Sequence, residues 1–190
     1  MMAVIEAILN IAKSYEGQEE IRGNKGFKES WFQNLMIRMG WKKHQAWCAY
    51  AAEAVWKEAY GIFFNNYMIE ELDELFSASA VQTWKNFKKS PRWKTSKIPV
   101  NGSLVVWQKY KNGRPHWSGH IGILDTASNS KMKTWDGNTN YGKSREGYVF
   151  TSVEREINFY KKNGLRLLGF VHPREIYEEI NYKSYKKIKV

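Results

Sequence analysis

Gln45-Ala46-Trp47-Cys48-Ala49-Tyr50-Ala51-Ala52-Glu53-Ala54-Val55-Trp56 carries the chain's one cysteine between an aromatic residue and a run of small ones. The small residues predict a tightly packed helix from about Cys48 to Tyr60, stopped by Gly61. If Trp47 ends a loop and Ala49 begins the helix, the Cys48 sulfur lies where unpaired backbone N–H groups and the positive end of the helix dipole converge. A thiol there can ionise well below its free pKa of about 8.5, and it becomes a nucleophile when an imidazole is within reach. Taken alone, Cys48 reads more simply as a small buried hydrophobe facing alanines, so its partners must be sought elsewhere in the chain.

Working outward, the chain before this stretch is helical. Ala3, Val4, Ala7, Ile8, Ile11, Ala12 and Tyr15 mark one face of a first helix closed by Gly17. Gly23-Asn24-Lys25-Gly26 is turn chemistry, and Ser30 is placed to cap a second helix carrying Trp31, Phe32, Leu35, Met36 and Met39 up to Gly40. Beyond the cysteine helix, Asn65 or Asn66 caps a short acidic helix through Phe76. Ser77 or Ser79 caps another with Val81, Trp84 and Phe87. After Pro99 the pattern turns to strands: 103–110, 119–124, 131–135, 148–153 and 165–171. Turns at Asn112-Gly113, Ser128-Asn129-Ser130, Asp136-Gly137-Asn138 and Asn163-Gly164 separate them. The expectation is an α+β protein, with amino-terminal helices packed on one face of a carboxy-terminal antiparallel meander of about five strands.

The 190 residues suit one domain, expected over 1–176, followed by a basic tail over 177–190. A single cysteine excludes an intramolecular disulfide framework and zinc sites built on several cysteines. Nine Trp and eleven Tyr argue against intrinsic disorder. Thirty Lys and Arg against nineteen Asp and Glu, a net +11, favour a polyanionic partner: nucleic acid, anionic lipid or an acidic cell-wall polymer. The first residues read as an amphipathic helix rather than a signal peptide, and no apolar run has the length of a membrane span, so membrane insertion is not expected. Between Thr83 and Lys97, six basic residues are interleaved with Trp84, Phe87 and Trp93. That pattern suits a groove for a single-stranded nucleic acid or a sugar polymer, and equally a solvated loop with its aromatics turned inward.

The partners Cys48 needs come from the strands. His120 opens the strand Gly119-His120-Ile121-Gly122-Ile123-Leu124, where it can take a proton from Cys48. Sixteen residues on, the next strand ends in Thr134-Trp135-Asp136-Gly137-Asn138. In a hairpin that end lies beside His120, so either Asp136 or Asn138 can hold the second imidazole nitrogen, completing a nucleophile, base and orienter. Each piece alone has a plainer reading, as a strand histidine or a turn. Their convergence in this order points to a cysteine hydrolase.

Trp47-Cys48-Ala49, Gly119-His120-Ile121-Gly122-Ile123, and Asp136-Gly137-Asn138-Thr139 with Arg145-Glu146-Gly147 resemble the CHAP group of papain-like cysteine amidohydrolases and peptidases. The loop of Glu19 and Glu20 followed by Asn24-Lys25-Gly26, and a closing Leu168-Gly169-Phe170-Val171-His172-Pro173 strand, extend the resemblance over most of residues 3–173. The resemblance implies a papain-like fold, a CHAP-like catalytic domain, Cys48 as nucleophile, His120 as general base, Asp136 as its orienter and Asn138 assisting. The family often has Glu-Gly-Asn where this chain has Asp136-Gly137-Asn138, and Gly-Asp where it has Gly102-Ser103. What the resemblance implies about activity is a peptidoglycan hydrolase, an N-acetylmuramoyl-L-alanine amidase or murein endopeptidase of phage endolysin type. Such an enzyme would be made in the bacterial cytoplasm and act on the cell wall after release. Its partners would be bacterial peptidoglycan and anionic cell-wall polymers, and it would need no cofactor and no metal. Two alternatives stand beside it: a basic, aromatic-rich nucleic-acid-binding protein with an inert Cys48, and a papain-like protein deamidase or protease.

Overall fold

Apolar residues at helical spacing in the amino-terminal third bury one face of each helix against a common centre. A computed structural model describes residues 2–64, 66–140 and 147–174. Helix α1 (Met2–Ser14) turns Val4, Ile8 and Ala12 inward, with Tyr15 just beyond its end. A small hairpin of β1 (Glu20–Ile21) and β2 (Gly26–Phe27) follows, then α2 (Ser30–Arg38). Ser30 is the first helical residue rather than the cap; Glu29 takes the cap position without a side-chain hydrogen bond.

Helix α3 (Cys48–Phe63) runs through Gly61 and ends at Phe63, with Phe64 the extended residue that caps it, beyond the expected stop, because the helix stays packed on α4 (Asn66–Leu75). Cys48 through Trp56 are all buried. A helix buried on every side needs small residues where neighbours approach, and Ala49, Ala51, Ala52 and Ala54 supply them. Ser79 caps α5 (Ala80–Lys89), its hydroxyl accepting from Gln82 N–H at 3.3 Å. Trp56 is the hub of the aromatic packing on this side, touching Tyr60, Phe76, Phe87 and Trp93.

The strands are β3 (Thr95–Ser96), β4 (Leu104–Lys111), β5 (Arg114–Ala127), β6 (Lys131–Thr139), β7 (Val149–Glu156) and β8 (Gly164–Val171). They form one antiparallel sheet of six strands in the order β3-β8-β4-β5-β6-β7, with β1–β2 a separate two-stranded sheet. The α+β arrangement is as expected, but the strand count of about five is corrected. Three short strands carry no alternation of their own, since two-residue pairings leave no period to read. The meander is also broken. After β7 the chain crosses back over the sheet so that β8 lies between β3 and β4. Ile157 and Phe159, on this crossing, pack over Val105, Trp107, Leu124 and Met132, covering the face turned away from the helices.

Two strands are longer than their composition suggested. β5 begins at Arg114, directly after an Asn112-Gly113 turn in which both residues have positive φ (50° and 74°), the form that matches strand twist. His120 is therefore well inside its strand and does not open it. β6 continues through Asp136-Gly137-Asn138, which its composition marked as a turn. The tail at 177–190, Asn65, Arg145 and Glu146 lie outside the described residues.

Candidate active site

Trp47 fixes the start of α3. Its indole N–H donates to Glu20 Oε2 at 2.8 Å, its backbone N–H donates to Asn138 Oδ1 at 3.0 Å, and its ring packs edge-on against Phe27 and Phe32. The Trp47 carbonyl accepts from Ala51 N–H at 3.0 Å, the first bond of the helix. Cys48 thus occupies the first helical position, with its own N–H lacking an intrahelical acceptor.

Ile121 and Ile123 face the helices, so by alternation His120, Gly122 and Leu124 face the other way, beside Trp107. The His120 ring lies 5.7 Å from that of Trp107, its cross-strand partner. Pairing of β5 with β6 begins at Ile123–Trp135, so His120 sits where the two strands have parted and the start of α3 meets both. His120 Nε2 is 2.9 Å from Asp136 Oδ2, which leaves Nδ1 for its hydrogen bond with the Cys48 thiol. Two glycines make this geometry possible by having no side chain. A Cβ at Gly122 would stand 2.1 Å from Asp136 Oδ1, and one at Gly137 would stand 2.7 Å from the Ala51 Cβ of α3.

Burial and charge together set the ionisation of the three groups. Burial pushes the Cys48 thiol up, but the hydrogen bond and positive charge of His120 and a backbone hydrogen bond from Ile121 bring it below its ordinary value. Burial would lower His120, yet the charge and hydrogen bond of Asp136, followed by those of Cys48, raise it to about 9. Burial raises Asp136 as well, and it is overcome by Arg155 and then His120, which hold the carboxyl at about 2. These directions favour a thiolate–imidazolium pair with an ionised carboxylate behind it.

Asp136, not Asn138, makes the contact with His120. Asn138 has a positive φ of 54°, and its side chain turns to the helix start: Oδ1 accepts from Trp47 N–H and Nδ2 donates to Gly147 O at 2.7 Å. It holds the start of the Cys48 helix rather than His120. The sequence reading did not single out Arg155. It donates to Asp136 Oδ2 through Nε at 2.8 Å and through Nη2, with its guanidinium 4.9 Å from the centre of the Trp107 ring. The one available signal was an arginine set between Glu154 and Glu156 on a strand, where alternation turns it to the opposite face from its neighbours.

Cys48 opens into a cleft of about 440 Å³ walled by His44, Gln45, Ala78, Ser79, Trp117 and Gly119. Gln45 Oε1 accepts from Tyr50 Oη at 2.9 Å and from Lys42 N–H at 3.2 Å, which turns the amide Nε2 away from both donors. Trp117 is 81% exposed at the rim. No acidic side chain lines this cleft, and among the described residues no three His, Cys, Asp or Glu side chains converge as a metal site would require. The basic stretch after Thr83 has its aromatics turned inward: Phe87 and Trp93 are buried on Trp56, and Trp84 packs against the core. Among the described residues no helix is long and apolar enough to cross a membrane. Comparison with protein-family models, curated proteins and solved structures finds no match.

Proposed function

We propose that this chain is a papain-like cysteine hydrolase that cleaves an amide bond of bacterial peptidoglycan, either the one joining sugar to peptide or one within the peptide. The observation that carries the reading is the hydrogen-bonded line Cys48–His120–Asp136, at the start of a buried helix and at the end of a cleft free of acidic side chains. The resemblance of the residues around Cys48, His120 and Asp136 to the CHAP group supplies the substrate class. The net charge of +11 suits retention on an anionic wall.

In this reaction the Cys48 thiolate attacks the amide carbonyl. The oxyanion forms against the Cys48 N–H and the Gln45 amide, donors aimed at charge that appears only in the transition state. His120 Nδ1 delivers its proton to the leaving amine, giving a thioester. Water, deprotonated by His120, then releases the acid and regenerates the thiol. Asp136 stays ionised throughout and stabilises the imidazolium without taking its proton.

The test is amine release from purified peptidoglycan, followed by mass spectrometry of the fragments. Cys48→Ala and His120→Ala are expected to lose activity at least about 10³-fold while keeping the fold by circular dichroism. A Cys48→Ala protein that still releases amine would end the reading. Fragments from the folded native enzyme identify the bond.

A further inference from the structure

Asp136 is an unusual orienter in how its charge is balanced. Oδ2 takes three donors, one from His120 and two from Arg155, while Oδ1 is buried with no partner. Arg155 approaches from the sheet face opposite the helices and is stacked on Trp107, whose ring also flanks His120. Its side chain is one-fifth exposed, toward a rear cavity of about 350 Å³ that it shares with Trp107, Glu154, Glu156 and Lys161. In the reactive state the buried line carries a thiolate, an imidazolium, a carboxylate and a guanidinium, so its charges cancel. Without the guanidinium the same line would hold one net negative charge away from water.

We propose that Arg155 is a positioning residue whose charge, set on Asp136 from behind the sheet, fixes the pH range over which the Cys48–His120 pair is reactive. The inference rests on the cysteine-hydrolase reading. The charged groups at this point are Cys48 from α3, His120 from β5, Asp136 from β6 and Lys161 from the crossing, with Lys131 of β6 and Glu154 and Glu156 of β7 as sequence and strand neighbours of the contact. Glu154 is held by Lys131 at 2.6 Å, whereas Arg155 is the cation in direct contact with Asp136. Removing a positive charge makes every nearby proton harder to lose. The thiol then ionises at higher pH, and the imidazolium also keeps its proton to higher pH. Both limbs of the profile therefore move upward together. A residue that only braced the fold would change the rate ceiling or the melting temperature and leave the limbs in place.

The experiment is alkylation of Cys48 across pH, which needs no substrate. Chloroacetamide reports the acid limb as the thiolate forms. Iodoacetate, an anion drawn to the thiolate–imidazolium pair, reports the alkaline limb as that pair loses its proton. In Arg155→Met and Arg155→Gln both limbs are expected to rise by roughly half to one pH unit, and in Arg155→Lys to return to within about 0.3 unit of the native values. Arg155→Ala joined to the rear cavity leaves space for methylguanidinium, and millimolar addition of it is expected to restore the native limbs. Limbs that coincide with the native ones in the neutral variants, or that ignore methylguanidinium in Arg155→Ala, overturn the proposal. A native Cys48 unreactive until denaturant is added defeats the cysteine-hydrolase reading and this inference with it. A reactive native Cys48 with unmoved limbs defeats this inference alone.

Discussion

Gly122→Ala tests whether the Asp136 contact organises the site. Its φ lies outside the left-handed region, so alanine adds no backbone strain, and the whole effect comes from the added methyl. That carbon would stand 2.1 Å from Asp136 Oδ1 and 3.1 Å from the Trp135 carbonyl oxygen. An ordinary contact needs about 3.5 Å, so the carboxylate must retreat by more than about 1 Å. Oδ1 has no hydrogen-bond partner to resist the movement, and Oδ2 leaves His120, now 2.9 Å away. On the cysteine-hydrolase reading, a displacement of about 1 Å in the carboxylate that positions His120 costs roughly 10²-fold in rate, about 2.7 kcal/mol in the barrier. Overpacking lowers folding stability by about 1–3 kcal/mol, which urea denaturation separates from the catalytic loss. The assay is amide cleavage together with iodoacetamide alkylation, both at pH 7 on protein verified as folded. Gly122→Ala within about twofold of native in both rates would refute the claim that Asp136 holds His120 in its working position.

Two further outcomes follow from the same contacts. Asp136 ionises at lower pH in the folded protein than its ordinary 3.8, so it stabilises the fold above that value, and the contribution disappears as pH falls toward about 2. Urea titrations should show the native chain losing about 2 kcal/mol more than Asp136→Asn between pH 4 and pH 2; equal losses would contradict the pairing with Arg155. Trp47→Phe removes the indole donor from the buried Glu20 carboxylate, and the expected cost is about 2–3 kcal/mol in urea denaturation, with slower Cys48 alkylation. A change under about 0.5 kcal/mol would mean that Glu20 does not anchor the helix start.

The sequence carried the elements of the site further than it carried their arrangement. Cys48 at a helix start was legible because small residues follow an aromatic one, and packing confirmed the helix over its whole length. Asp136-Gly137-Asn138 was misread as a turn because local propensity favours one. There, tertiary packing decides otherwise: Gly137 faces α3 closely enough to exclude a side chain, and strand β6 continues through it. Gly61 was likewise read as a stop, though α3 runs on where α4 packs against it. The choice between Asp136 and Asn138 was not legible, since residues two apart on a strand share a face until a positive φ at Asn138 breaks the alternation. Arg155 was hidden for a different reason: an arginine between two glutamates looks like surface charge until its strand is set beside β6.

The seat of β8 between β3 and β4 has a consequence for biosynthesis. β4 is the neighbour of the histidine strand, yet its other edge remains open until the last described strand has been made and carried back across the sheet. Closure of the sheet therefore depends on contacts distant in sequence, which form late and slowly. A ribosome-bound chain that has completed Cys48, His120 and Asp136 still lacks the strand that covers β4 and the crossing that packs over Trp107. The order of synthesis delays completion of the Cys48–His120–Asp136 site until β8 has emerged and docked on β4, and a chain cut short before Gly164 leaves β4 as an exposed edge prone to pair with other chains.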